Sequence, residues 1–247
     1  MRMALALLFL LLFSMAYNSP ILLYPLFPSL NPCTTADVIS STGRMLFIAD
    51  LHIRDLEKPD PAFKEVGGFA RKEGIPDIVV AGDFFNRPEA FYALQREGGP
   101  FTAMRDALGL ADERLFVIIG SPVHDPQDIK AGIHGKVAVL GRCAVFDING
   151  TRIVAYHGDH MSRHGSIGFA VSYVTRRLFL ERTWKALAGI DKDVTVITGH
   201  THVSGVNEKA RAANPGGWKK IPLFKPPLGR GIMVDEKGVK QVDIVSL

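Results

Sequence analysis

Apolar and polar positions along the chain predict strands and helices in alternation. Short runs of β-branched or apolar residues predict five strands, at 45–49, 77–81, 115–119, 152–156 and 194–198. Helical patterns occupy three of the intervals between them, at about 61–73, 88–108 and 166–189. This order of elements predicts an α/β domain.

Two further patterns predict β-hairpins. In "FDINGTRI", Asn149-Gly150 lies between two apolar runs, which is typical of a type I′ turn. The tail "GIMVDEKGVKQVDIVSL" predicts a second hairpin that turns near Lys237-Gly238. Since hairpins add antiparallel pairs, we expect a mixed sheet rather than a purely parallel one.

Potential ligands follow every one of the five predicted strands. They are Asp50 and His52, Asp83 and Asn86, Ser121 with His124 and Asp125, His157 and Asp159, and His200 and His202. Loops beyond the carboxyl ends of such strands gather at one edge of the sheet. A single strand-end Asp also fits a helix cap, and a single His also fits ordinary packing. Five such endings in one chain favour a site for one or two divalent cations, which would supply the counter-charge that clustered carboxylates require.

These blocks resemble the signature of the calcineurin-like metallophosphoesterase superfamily. In chain order they are Asp50-Leu51-His52, Gly82-Asp83-Phe84-Phe85-Asn86, Gly120-Ser121 through His124-Asp125, His157-Gly158 and Gly199-His200-Thr201-His202. The resemblance covers 50–202. It implies a four-layered α/β sandwich in which two mixed β-sheets are flanked by helices.

The resemblance also implies a dinuclear metal centre. Its first metal would be held by Asp50, His52 and His202, its second by His157 and His200, and Asp83 would bridge the two. Nitrogen and oxygen ligands suit manganese, which we expect, with iron and zinc as alternatives. Such a pair lowers the pKa of a bridging water, and the resulting hydroxide attacks phosphorus.

Three further residues have implied or proposed roles toward the substrate. His124 would protonate the leaving group or stabilise charge on the phosphoryl oxygens. Asn86 is expected to orient substrate, with a turn-forming Asn as the alternative, and Arg163 is expected to meet a phosphate.

The third block departs from the family pattern. The family has an Asn that ligates the second metal directly before the His, whereas "GSPVHD" has Ser121 in that position, with Pro122 and Val123 inserted. A neutral hydroxyl is a poor ligand, so either Ser121 or Asp125 would have to replace the Asn, or the second metal binds weakly. The departure also leaves the assignment of His124 open.

The stretch "YHGDHMSRHG" and the helical pattern after it resemble the UDP-2,3-diacylglucosamine hydrolase branch. There a helical insertion, here at about 161–190, caps the acyl chains of a lipid-linked nucleotide. The expected function is therefore hydrolysis of a phosphodiester or pyrophosphate in a small or lipid-linked nucleotide. A DNA nuclease and a non-catalytic metal-binding scaffold are the alternatives. Nucleic acid is not the expected partner, since a nuclease would need a longer basic groove, and no obligate protein partner is evident.

The amino-terminal 43 residues form a hydrophobic segment before a domain predicted at 44–247. Met3 to Tyr17 is shorter than the about 20 residues of a membrane span. It suits a signal peptide with Ser14-Met15-Ala16 as cleavage site, or, extended to Phe27, a kinked anchor that touches lipid. If translation instead starts at Met45, the domain is cytoplasmic.

Composition adds two expectations. The 247-residue chain has a net charge of +4 and a pI near 9.1, which suits anionic ligands. Its two cysteines, Cys33 and Cys143, have no framework spacing and are expected to be ordinary thiols.

Overall fold

The computed structural model describes residues 13–34, 36, 38–94, 99–175, 178–219 and 228–245. Its strands form two mixed sheets. The order in the six-stranded sheet is β1 (Val38–Ser41), β7 (Cys143–Ile148), β8 (Thr151–Tyr156), β9 (Thr195–Thr198), β11 (Ala212–Asn214) and β10 (Gly205–Asn207). The order in the seven-stranded sheet is β13 (Gly238–Asp243), β12 (Arg230–Asp235), β2 (Met45–Ile48), β3 (Asp77–Ala81), β4 (Arg114–Ile118), β6 (Val137–Val139) and β5 (Gly132–His134).

The five predicted strands are confirmed as β2, β3, β4, β8 and β9. Both predicted hairpins are confirmed too. Asn149 and Gly150 have φ of 51° and 81°, the two positive values that a type I′ turn requires, and Asp235 pairs with Gly238 across the β12–β13 turn.

The predicted helical intervals contain helices, in shorter pieces than expected. Among the described residues the helical segments are 13–18, Pro20–Leu23, Pro28–Leu30, Pro61–Lys64, Glu65–Glu73, Glu89–Tyr92, Gly99–Ala107, Gly165–Thr175 and Phe179–Leu187. Leu178, with φ of 56°, directly precedes the last of these helices, and a left-handed residue does not fit inside a helix. None of the described helices is long and apolar enough to cross a membrane.

The alternating direction of side chains along each strand explains how sheets and helices form layers. In β2, Met45 and Phe47 point into the core between the two sheets, while Leu46 and Ile48 point to the other face. That outer face of the seven-stranded sheet is covered by the helices Glu65–Glu73 and Gly99–Ala107. The result is a helix layer, two sheets and a second helical layer, as the resemblance implied.

The second helical layer covers the six-stranded sheet. Trp184, fully buried in the helix Phe179–Leu187, stacks on Tyr156 of β8 with ring centroids 5.0 Å apart. Ile21 and Tyr24 of the amino-terminal segment are buried in the same cluster. The segment therefore packs against the domain, and β1 extends the six-stranded sheet by pairing in parallel with β7.

The expectation that Cys33 and Cys143 are ordinary thiols was wrong. They form a disulfide between residues 110 apart in sequence, with Cα atoms 5.2 Å apart. The error arose because the segment before β1 runs past the first residue of β7, and this long-range contact has no local sequence pattern. The predicted signal or anchor core at 3–17 lies mostly outside the described residues.

Candidate metal centre

The predicted ligands follow strands of both sheets and meet where the carboxyl ends of those strands come together. Beyond the strands, the loops continue to pair with one another. The amide of Asp50 donates to the Gly82 carbonyl at 3.1 Å, that of His52 to the Asp83 carbonyl at 3.1 Å, and that of Gly199 to the His157 carbonyl at 2.9 Å. These hydrogen bonds hold ligand loops from different strands in register.

Six predicted metal ligands form two adjacent groups. Asp50, His52 and His202 make the first and Asp83, His157 and His200 the second, with one ligand atom of each residue within 4.8 Å of the others in its group. In the first group, Nε2 of His202 lies 3.6 Å from Oδ1 of Asp50, and in the second, Nε2 of His157 lies 3.1 Å from Oδ1 of Asp83. A third group, of His52, Asp83 and His124, joins the two.

Hydrogen bonds to backbone carbonyls orient the imidazoles of the second group. Nδ1 of His157 donates to the Ala81 carbonyl at 3.0 Å, which leaves Nε2 facing Asp83. Nε2 of His200 donates to the Ser162 carbonyl at 2.5 Å, which leaves Nδ1 as its free ring nitrogen. Such contacts select the tautomer that a metal ligand requires.

Backbone strain is concentrated at this site. Eight described residues other than glycine have positive φ, and five of them are predicted ligands, listed here: Asp50, His52, Asp83, His200 and His202. A left-handed conformation costs about 1–3 kcal/mol for such residues and persists only where surrounding contacts impose it. The strain turns each side chain back over the end of its strand, toward the common centre.

The buried groups fit a bound cation. Burial, with the charge of Asp83 adding to it, raises the pKa of Asp50 to about 8. Within the described part of the chain, four buried atoms of the two groups have no hydrogen-bond partner: Oδ1 of Asp50, Nδ1 of His52, Nε2 of His157 and Nδ1 of His202. A divalent cation would partner Oδ1 of Asp50 and Nε2 of His157 and would supply positive charge, whereas His52 and His202 turn Nε2, not Nδ1, toward Asp50.

Ser121 and Asp125, the two candidate replacements for the family's Asn, have other partners. The amide and hydroxyl of Ser121 donate to Oδ1 of Asp83 at 2.8 and 2.9 Å. Asp125 accepts from the amides of Gly120 and Phe85 at 2.8 and 3.2 Å, and it belongs to none of the ligand groups found among the described residues. Burial raises the pKa of Asp125 to about 7, and Asp83 adds to the shift. Both residues thus brace the loops that hold Asp83.

Of the residues expected to act on the substrate, His124 lies at the metal centre and Arg163 lies at the amino-terminal segment. His124, half-buried, donates from Nδ1 to the Asn86 carbonyl at 2.7 Å and places Nε2 3.8 Å from Oδ2 of Asp83. Its ring lies 4.3 Å from that of His52, so His124 lies at the centre itself. Arg163 lies against the amino-terminal segment instead, with its guanidinium 4.3 Å above the ring of Tyr17.

Comparison with known families decides the identity of this arrangement. The family model described as the calcineurin-like phosphoesterase superfamily domain matches residues 44–229. The chain belongs to the calcineurin-like phosphoesterase superfamily. It is therefore a phosphoesterase of a metal-dependent family, and the resemblance stated from its motifs is confirmed. The narrower likeness to UDP-2,3-diacylglucosamine hydrolases stays a prediction. No curated protein matches the chain.

Solved structures with a similar fold are distant in sequence. A predicted phosphoesterase from Streptococcus pneumoniae is 12% identical with a TM-score of 0.41, over 82% of this chain and 90% of that one. A single mutant of Vps29 from Entamoeba histolytica is 19% identical with a TM-score of 0.43, over 81% and 98%. YfcE, a phosphoesterase from E. coli, is 16% identical with a TM-score of 0.44, over 82% and 100%.

The segment 214–219 of this phosphoesterase reaches the site, although none of the ligand motifs indicates it. A Cβ on Gly217 would lie 2.2 Å from Nδ1 of His202, so only glycine fits there. The amide of Trp218 donates to the Asp50 carbonyl at 3.0 Å, and Nζ of Lys219 lies 3.5 Å from Oδ1 of Asn86. The glycine pair in "NPGGWKK" is the signal that could have indicated a close approach.

A polar network behind the second group was also missed. Arg142 pairs with Asp159, two residues after His157, and donates to the Gly120 carbonyl at 3.1 Å. Tyr156 donates to Asp159 at 3.1 Å and accepts from the amide of His160. The network ties the loop after β8 to the loop after β4.

Proposed function

We propose that this phosphoesterase hydrolyses phosphodiester or pyrophosphate bonds with two divalent cations. The observation that supports this most is the pair of adjacent three-residue ligand groups, with Asp83 in the second group and in the third group that links it to His52. One cation would be held by Asp50, His52 and His202, and the other by His157 and His200, with Asp83 shared. Manganese, iron and zinc all suit these ligands.

The bound cations, His124 and Ser121 would have different roles in the reaction. Bound cations would supply a water of lowered pKa as the nucleophile and offset the charge of the phosphoryl oxygens. His124 keeps one ring nitrogen on the Asn86 carbonyl, so Nε2 is the atom that delivers a proton to the leaving oxygen. Ser121 holds the carboxylate of Asp83 in place through two hydrogen bonds.

The proposed substrate is a small or lipid-linked nucleotide. The helix Gly165–Thr175 supports the lipid-linked option, since Gly168 lies beside the ring of His200. The same helix exposes Ile167, Tyr173 and Val174 to solvent. Exposed apolar side chains on a helix that contacts His200 suit a substrate with acyl chains.

A membrane surface is the proposed partner, reached through the amino-terminal segment. Phe13, Leu26 and Phe27 of that segment are more than half exposed, at 60, 73 and 55%. The Cys33–Cys143 disulfide supports an oxidising compartment, because disulfides persist mainly outside the cytosol. Flotation of the full-length protein with anionic-lipid vesicles tests the contact. Failure to float at low salt would rule it out.

Turnover with defined metal content tests the chemistry. We expect chelator-stripped protein to be inactive on bis-p-nitrophenyl phosphate and to regain activity at two manganese ions per chain. Asp83→Asn should lower the activity at least about 100-fold. Asp112→Asn, at a fully exposed residue, should leave the activity unchanged. A doubly loaded wild type that hydrolyses neither this diester, its monoester nor a nucleotide-diphosphate ester would instead support the scaffold alternative.

A further inference from the structure

The segment from Asn214 to Lys219 is fixed to the metal centre at several points. Asn214 donates to the Gly199 carbonyl at 3.0 Å, and the Trp218 amide donates to the backbone carbonyl of Asp50. The indole of Trp218 lies 5.7 Å from the ring of Phe63. These contacts hold the backbone next to Lys219 against the metal centre.

The ammonium group of Lys219 lies on the same side of the centre as His124. Its hydrogen-bond partner is the side-chain oxygen of Asn86, at 3.5 Å, and the backbone oxygen of Asn86 accepts from His124. The segment before Lys219 also touches the first ligand group, since a Cβ on Gly217 would lie 2.2 Å from Nδ1 of His202. Lys219 and His124 therefore both border the space in front of the two ligand groups.

A structural role as an ion-pair partner does not account for Lys219. Among the ion pairs of the described residues, Lys136 and Lys240 each contact a carboxylate, whereas Lys219 contacts only the neutral amide of Asn86. A half-buried ammonium next to a centre that takes up two dications is repelled by them. That repulsion is offset when an anion binds between the ammonium and the cations.

We propose that Lys219 is a substrate-binding residue that contacts a non-bridging oxygen of the phosphoryl group. This inference rests on the proposed function and adds a residue to it. The ammonium would form a charge-assisted hydrogen bond to the phosphoester and to the phosphate product. It would thereby favour substrates that carry negative charge on the phosphoryl group or on a neighbouring one.

Binding of inorganic phosphate to the full-length, manganese-loaded protein tests the proposal without turnover. We expect Lys219→Met to weaken phosphate binding by about tenfold or more, as measured by calorimetry, and to raise the KM for bis-p-nitrophenyl phosphate by a similar factor. Lys219→Arg should retain most of the binding. The matched control is Lys209→Met, at an exposed lysine in the β10–β11 turn, which should bind phosphate like the wild type.

Two outcomes separate this proposal from the one it rests on. If Lys219→Met keeps the metal content and melting temperature of the wild type but binds phosphate equally well, the role of Lys219 is overturned and the hydrolase proposal stands. If the wild type binds phosphate through Lys219 but hydrolyses no ester, the hydrolase proposal is overturned and the anion-binding role stands. A wild type that binds no phosphate, with or without manganese, would overturn the role of Lys219.

Discussion

Ser121 donates two hydrogen bonds to one carboxylate oxygen of Asp83, from its amide at 2.8 Å and from its hydroxyl at 2.9 Å. That oxygen also faces Nε2 of His157 at 3.1 Å. The residue at the family's Asn position thus braces the central carboxylate. Because a hydroxyl is a weak metal ligand but a good donor, its contribution to the centre is the orientation of Asp83.

Removing the hydroxyl of Ser121 should weaken the binding of the second metal ion. We expect Ser121→Ala to lower affinity for the second manganese ion by about 10- to 100-fold, since loss of such an outer contact has this scale. Stepwise metal titration by calorimetry measures the effect, with Ser40→Ala on the exposed face of β1 as control. Equal affinities for both variants would contradict the bracing role.

Manganese binding should release protons in the neutral range. Burial alone would lower the pKa of His157, but the adjacent Asp83 outweighs it and raises the pKa to about 10. The metal-free imidazole is therefore protonated on both ring nitrogens at pH 7.5. Its Nε2 must lose a proton before it can bind a cation. Affinity should rise by about tenfold per pH unit for each proton displaced, up to the pKa of His157.

Calorimetry in buffers of different ionisation enthalpy counts these protons at pH 7.5. We expect at least one proton for the metal held by His157, and a further proton for the metal held by Asp50, whose pKa burial raises to about 8. Below pH 7 the apparent affinity should keep falling. An enthalpy that is the same in every buffer would contradict the protonated state of His157.

Reduction of the disulfide should destabilise the fold. The Cys33–Cys143 bond closes a long loop, and such bonds contribute about 2–4 kcal/mol, mainly by restricting the unfolded chain. Urea unfolding with and without reductant should show a loss of this size. The double variant Cys33→Ser/Cys143→Ser is the control and should not respond to reductant. A wild type that is equally stable in both conditions would contradict the bond.

Loss of Arg142 should lower both the stability of the fold and the affinity for the second metal ion. Arg142→Met leaves the buried carboxylate of Asp159 without its cation, which costs about 3 kcal/mol for a broken buried pair. It also frees the loop that carries His157, so the second-metal affinity should fall. Arg152→Met, on the exposed side of β8, is the control for both measurements. A loss of stability with unchanged metal affinity would restrict Arg142 to a structural role.

The strands and the clustering of the six candidate ligands could be predicted because their signals are local. Each of β2, β3, β4, β8 and β9 is a short β-branched run, and the ligand motif begins within two residues of its end. Tight strand-end turns keep such residues together wherever the strand lies. The pairing of the Asn149-Gly150 hairpin was equally local, because two adjacent residues supply its turn.

Residues far apart in sequence were assigned less well. Lys219 follows the last ligand by 17 positions, and no spacing indicates that Trp218 would hydrogen-bond to Asp50. Arg163, which the sequence suggests as a phosphate contact, covers Tyr17, a contact between segments more than 140 residues apart that no sequence pattern indicates. Such contacts depend on how the loops pack, and this packing is determined by many residues rather than by one sequence motif.

The sequence by itself determined the kinds of candidate ligand, their order and the strands that carry them, since these depend on neighbours along the chain. Only the tertiary structure decided that the loops of two separate sheets interlock around Asp83, that Ser121 braces this carboxylate, and that the amino-terminal segment is joined to β7 by a disulfide. The physical reason is that register, burial and loop pairing arise from contacts that form only when the two sheets pack face to face.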